Sequence, residues 1–150
     1  MDLKFVNKSH VYLDGERLHR KRGQRCGDFT RDVYYNDKYI VKIDFSNEKQ
    51  SLMEYRKWKS FLPHHRKYFV PVLFFGKINE YADYVIMEKK KFKKHPKPST
   101  HKEKEKFIEV LDFYDLYHDI VIYERDNVMV NCGITTNNEI LCYDYGRIPK

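Results

Sequence analysis

A lysine stands in the centre of an apolar, strand-forming run, Tyr39-Ile-Val-Lys42-Ile43. A buried ammonium without a partner is expensive. The fold must therefore bring an anion to Lys42 or let its stem carry the charge out to solvent. One carboxylate is placed to serve. From Asn47 to Leu62 the apolar period changes from two to helical, with Leu52, Tyr55, Trp58, Phe61 and Leu62 at spacings of three and four. Glu54 lies one helical position from that stripe. It can face the strand and pair with Lys42, the alternative being an exposed glutamate. Ser46 or Asn47 is the expected cap and Pro63 the stop.

The rest of the chain reads around this strand–helix pair. Val11 to Leu13, the turn Asp14-Gly15 and Glu16 to His19 predict a hairpin. Arg20 to Asp28 is a basic loop containing Gly23 and Gly27. Asp32 to Tyr35 and Tyr39 to Ile43 predict a second hairpin about Asn36-Asp37. Tyr68 to Ile78 and Tyr84 to Met87 read as strands with a turn near Asn79-Glu80, Pro71 taking an edge or bulge position. Lys89 to His101 is basic, contains prolines and has no period, as a linker or surface loop would. Phe107, Val110, Leu111, Tyr114 and Tyr117 mark a helix over 102–118. Val128 to Asn131 and Ile140 to Tyr143 read as a strand pair around a turn at Gly133 to Asn138. The order of elements is that of an α+β arrangement.

Composition narrows the class. The 150 residues suit one domain, and an apolar fraction of 41% with 16% aromatics supports a real core. The low mean hydropathy of −0.78 reflects 34% charged residues. A net charge of +7 favours anionic partners without choosing among nucleotide, nucleic acid, acidic protein or anionic lipid. Part of that excess sits in Lys89 to Lys106. Cys26, Cys132 and Cys142 are too few and too scattered for a disulfide framework, and read as reduced thiols. The His64-His65 pair reads as a solvated helix end rather than a metal site. No apolar run approaches the ~20 residues that cross a bilayer, and Met1 to His10 lacks a signal-peptide core. A cytoplasmic protein is expected.

Three further features bear on chemistry. Gly23 and Gly27, between two strands, let backbone N–H groups approach phosphate oxygens, or form an ordinary turn. Asp126-Asn127-Val-Met-Val130 puts a polar residue at the mouth of a strand, and Asp144-Tyr145-Gly146 directly follows another. Adjacent strands would bring Asn127 and Asp144 together, where an amide oxygen and a carboxylate suit Mg²⁺ beside a triphosphate. Each piece alone reads equally as a turn.

In their order, these features resemble the protein-kinase-like superfamily over roughly residues 20 to 147. Gly23 and Gly27 resemble a degenerate glycine-rich loop. Lys42 in IVKI resembles the lysine of V-A-I-K, and Glu54 its partner on the αC helix. Tyr84-Val-Ile-Met-Glu88 is similar to the strand entering the hinge, where backbone groups would meet adenine. Asn127 resembles the metal-binding asparagine of the catalytic loop, and Asp144 the aspartate of D-F-G. The proportions look most like the short kinase-like proteins of bacteria and their viruses, which would place a viral member in the host cytoplasm.

The resemblance implies an α+β, protein-kinase-like fold: an antiparallel N-lobe sheet with one αC-type helix over about 1–88, a basic hinge over 89–101, and a minimal C-lobe over 102–150. It implies ATP and Mg²⁺ as cofactors and a protein as phosphoacceptor. Two departures weigh against turnover. The catalytic aspartate of kinases lies five residues before the metal-binding asparagine, and that position is Ile122, leaving Glu124 or Asp119 as an improvised base. The chain also stops soon after Asp144-Tyr145-Gly146, without an activation segment or peptide-docking helices. A dimer or partner protein would cover the apolar surface so exposed. The expected function is ATP- and Mg²⁺-dependent phosphotransfer to protein. The first alternative is a pseudokinase that regulates a partner by binding. The second is a nucleic-acid binder acting through Lys89 to Pro98, whose affinity would fall steeply with salt.

Overall fold

The computed structural model describes residues 1–21, 31–93, 96–117, 129 and 131–146. The architecture is mixed α+β with antiparallel sheets and few helices. Strands β1 (Leu3–Asn7), β2 (His10–Leu13) and β3 (Glu16–Arg17) form a three-stranded sheet. Strands β4 (His19–Arg20), β5 (Arg31–Tyr35), β6 (Tyr39–Asp44), β7 (Val72–Lys77) and β8 (Asp83–Glu88) form a five-stranded sheet in the order β4-β5-β6-β8-β7. A hairpin of β9 (Cys132–Ile134) and β10 (Ile140–Cys142) completes the strands among the described residues. Helix α1 (Gln50–Ser60) connects β6 to β7, and α2 (Lys104–Phe113) precedes the hairpin.

The register assigns the two faces of the large sheet. Val41 lies opposite Tyr34 and Ile86, and Ile43 opposite Tyr84. With period-two alternation these share one face, which meets Val11, Leu13 and Leu18 in a core against the N-terminal sheet. Lys42, opposite Val33 and Val85, belongs to the other face. There α1 packs, and Val72, Val85 and Met87 join a larger core with Phe61, Phe69, Phe107, Leu111 and Tyr145. Strand β6 is thus apolar towards one core and polar towards α1.

Several local expectations need correction. The N-cap position of α1 is Lys49, in the left-handed region at φ 62, and no side chain of that residue caps the helix. Asp44 does so from β6: its Oδ2 accepts the Gln50 N–H at 2.9 Å, and its Oδ1 accepts the Ser46 N–H at 2.8 Å. Neither Ser46 nor Asn47 takes that role, because the chain must leave β6 through two left-handed residues, Asn47 and Lys49, before the helix starts. The segment from Tyr68 is a strand only from Val72, since Pro63–Tyr68 forms a 3-10 turn. Helix α2 ends at Phe113. Gly133 is paired with Leu141 inside the hairpin rather than in its turn, and Asn131 has φ 62, so it does not extend a strand. Val128 and Val130 of the expected strand lie outside the described residues. Within the expected linker, Phe92 bridges to Thr135, and the Lys93 N–H donates to the Ile134 carbonyl at 2.9 Å. Gly133 permits this, because a Cβ there would stand 2.7 Å from the Phe92 ring.

Among the described residues no helix is long and apolar enough to cross a membrane.

Candidate functional site

The polar face of β6 meets α1 at its two most buried positions. Ser51 and Glu54 are both 0% exposed. The Ser51 hydroxyl donates to the Lys42 carbonyl at 3.1 Å, so the small side chain lets the helix lie close on the strand. One turn along, Glu54 receives Lys42: Nζ lies 3.3 Å from each carboxylate oxygen. The pairing expected from the sequence is present.

It belongs to a larger cluster. Arg31 opens β5 opposite Asp44 and so projects to the α1 face. Its Nη1 donates to Glu54 Oε1 at 2.8 Å and its Nη2 to Asp144 Oδ1 at 3.0 Å. Lys42 Nζ donates to the Tyr143 carbonyl at 2.9 Å and lies 3.9 Å from Asp144 Oδ1. The Tyr145 N–H donates to Glu54 Oε2 at 2.9 Å. Three consecutive residues after β10 are thus held by three side chains of the large sheet and its helix: Tyr143 by Lys42, Asp144 by Arg31, Tyr145 by Glu54. The Tyr145 ring is buried in the larger core, and its hydroxyl donates to the Val70 carbonyl at 2.6 Å. Gly146 follows where a Cβ would meet the Gln50 carbonyl at 2.7 Å and Arg31 Nη2 at 3.1 Å. Only glycine lets the backbone pass that close.

The electrostatics follow from this packing. Burial alone would push the Glu54 carboxyl up; the Arg31 and Lys42 cations, with the Arg31 and Tyr145 hydrogen bonds, outweigh it and hold the carboxyl at about 2. Burial likewise works against the Arg31 cation, and Glu54 and Asp144 more than restore it, so its pKa is raised. Two cations face Glu54 and Asp144, and the buried Asp44, opposite Arg31, adds a further negative charge within reach of the guanidinium. The cluster's one accessible acid is Asp144, with a side chain 34% exposed.

The other expected site residues divide into two groups. Glu88 ends β8, three residues along the ladder from the level of Lys42, or about 10 Å. Its side chain pairs with Lys90 at 2.9 Å, and its N–H donates to the Pro71 carbonyl at 3.1 Å. It is not part of the charge cluster. Gly23, Gly27, Asp119, Ile122, Glu124 and Asn127 lie outside the described residues. Strands β4 and β5 flank the segment holding the two glycines, and the Lys21 N–H extends their ladder to the Val33 carbonyl at 2.9 Å.

Arg31 was not among the residues the sequence singled out. What singles it out is the register, which sets it at the start of β5 opposite Asp44. No protein-family model matches the chain, and no curated protein matches it either.

Proposed function

We propose that this chain is a kinase-like protein that binds ATP and Mg²⁺ and transfers phosphate to a protein substrate. The observation that carries this reading is the ion pair between Lys42 on β6 and Glu54 on the helix that follows, joined to Asp144 just beyond β10. Protein kinases require a lysine–glutamate pair between the third strand and the next helix, together with a metal-binding aspartate. Counted from β4, the strand before the Gly23/Gly27 segment, β6 is the third strand. The element order and buried Tyr145 agree with a D-F-G-like Asp144-Tyr145-Gly146.

The residues present fit the cofactors. A third-exposed carboxylate beside a lysine is a suitable oxygen ligand for Mg²⁺ at a phosphate site. Lys42 would meet the α/β phosphates, and Glu54 would keep its stem in place. Asp144 and Asn127 would hold Mg²⁺, and the Gly23/Gly27 loop would cover the phosphates. Bound Mg²⁺ would supply charge neutralisation at the phosphate oxygens. Glu124 or Asp119 would orient the acceptor hydroxyl. Phosphoryl transfer depends mainly on positioning and charge stabilisation, so Ile122 lowers the rate without abolishing the chemistry. A cytoplasmic location and a protein partner or second copy belong to the same reading.

The pseudokinase alternative has its own support. Lys42 already has acceptors in both Glu54 oxygens and the Tyr143 carbonyl, and Asp144 is held by Arg31. A site satisfied internally needs no turnover to be stable.

Thermal denaturation with ATP, with and without Mg²⁺, tests the reading in the wild type and Asp144→Ala. At a hundred times Kd, mass action contributes about 2.7 kcal/mol, a rise of about 5–10 °C for a chain of this size. A Mg²⁺-dependent rise lost in Asp144→Ala is expected, and no rise with any nucleotide would sink the proposal. Phosphate release or autophosphorylation then separates enzyme from pseudokinase.

A further inference from the structure

The motifs account for Lys42, Glu54 and Asp144 and leave Arg31 without a role. We propose that Arg31 is a positioning residue that clamps the Asp144 carboxylate when no nucleotide is bound and so sets how much Mg²⁺ the site requires. This rests on the nucleotide reading above.

Four observations carry it. Arg31 is 7% exposed, and its two terminal nitrogens go to two different carboxylates, Glu54 at 2.8 Å and Asp144 at 3.0 Å. The fork therefore ties α1 to the segment after β10. The oxygen it takes, Asp144 Oδ1, is also the one nearest Lys42. The backbone beyond Asp144 is fitted to the guanidinium, since a Cβ on Gly146 would stand 3.1 Å from Nη2. Finally, Glu54 keeps the Tyr145 N–H and Lys42 whatever Arg31 does, so the clamp on Asp144 can change while the helix stays docked.

The charges give the direction of the effect. Arg31 and Lys42 face Glu54 and Asp144, with Asp44 also acting on Arg31. A divalent cation arriving at Asp144 meets a guanidinium already bound there. Arginine does not lose its proton in a protein, so the clamp opens only by exchange of partners. With nucleotide and metal bound, Asp144 would serve the metal, and the Arg31 guanidinium would turn to the polyphosphate anion. Free Mg²⁺ brings no such anion and competes poorly. Arg31 thereby couples metal binding to nucleotide binding. A purely structural Arg31 would lower stability when replaced and leave the metal requirement where it was.

The experiment measures, on the full chain, the Mg²⁺ concentration giving half the ATP-induced rise in melting temperature. Arg31→Gln keeps an amide donor towards Glu54 but removes the charge; its Mg²⁺ midpoint is expected to fall about tenfold, a change of about 1.4 kcal/mol. Arg31→Lys keeps the charge and is expected to stay within about threefold of wild type. An Arg31→Gln midpoint equal to or above wild type, with the ATP-induced rise retained, overturns the clamp. Should Arg31→Gln fail to fold, the arginine side-chain NMR signals of the wild type decide. Those of Arg31 must shift when ATP and Mg²⁺ are added together and hold still with Mg²⁺ alone; signals unmoved by both together overturn the proposal. A wild type that does not respond to ATP at all removes the nucleotide reading, and the clamp with it. That result differs from an unchanged midpoint in a protein that binds.

Discussion

Glu54 is a carboxylate with no exposed surface, and everything around it is arranged to keep it charged. Its pKa is lowered from an ordinary 4.5 to about 2. A group depressed on folding contributes stability that is fully present above its unfolded pKa and is lost as pH falls through the folded one. The window here runs from about 4.5 down to about 2. Over it, the wild type is expected to lose on the order of 3 kcal/mol in urea denaturation, from the linkage of pKa to free energy. Glu54→Gln should show a flatter profile there and be less stable near neutral pH by about 3–5 kcal/mol, the cost of stranding a buried charge. Equal acid profiles in the two proteins would remove Glu54 from the account. The Lys42–Glu54 pair was legible because a lysine in an apolar strand demands an anion, and Glu54 stood at the right turn of the next helix. Arg31 was not legible. It follows Arg20, Lys21, Arg22 and Arg25, and in that company a further cation looks like part of a solvated basic loop. Only the register opposite Asp44 turns it inward.

At the scale of elements, periodicity located α1 and the flank on which Tyr55 and Trp58 pack against the larger core. The deepest positions of the helix are nevertheless the polar Ser51 and Glu54, beside that stripe. A hydrophobic stripe cannot report a helix docked through an ion pair. The same blindness applies to its start. The cap comes from Asp44, a residue of the preceding strand that is 1% exposed and lies opposite Asp83 across the ladder. Burial and the Asp44 charge both raise the Asp83 pKa, so the cap is retained against a like-charge cost. Asp44→Ala is expected to destabilise the protein by about 1–2 kcal/mol, near the upper end for lost caps. Asp44→Asn should cost less, because its amide oxygen still accepts and the repulsion with Asp83 disappears. Urea denaturation of the two variants at neutral pH checks this, and equal losses would contradict the capping role. In the hairpin, β9 starts at Cys132, and Phe92 packs on Gly133 and bridges to Thr135 while Lys93 beside it pairs with Ile134. That contact joins residues 41 apart, and no local pattern contains it.

The whole molecule is organised by the large sheet, which separates two cores and carries the charge cluster on one face. The basic run after β8 is partly engaged within the fold: Lys89 lies over the Tyr35 ring at 4.7 Å, Lys90 pairs with Glu88, and Lys93 donates to Asn138 Oδ1 at 3.2 Å. Those contacts give its lysines structural work beside any role with an anionic partner. On the opposite face, the N-terminal sheet acts as a cover that sequence reading caught only in part. Strand β1 was missed because its alternation is weak; Leu3 and Phe5 are only half-buried against the core, while Val6 is 55% exposed. Yet Val11 and Leu13 from β2, at 0% and 2% exposure, close over Tyr34, Val41, Ile43 and Ile86. Leu13→Ala is therefore expected to cost about 3 kcal/mol. A chain beginning at Leu18 should bare a continuous apolar face on the large sheet, bind the dye ANS and aggregate, as exposed patches of this kind do. The charge cluster lies on the other face, and Leu13→Ala should leave its acid window between about 4.5 and 2 unchanged while shifting the whole stability curve down. A loss confined to acid pH would instead mean that the two faces are coupled through β6, and that the N-terminal cover helps to hold Lys42 on Glu54.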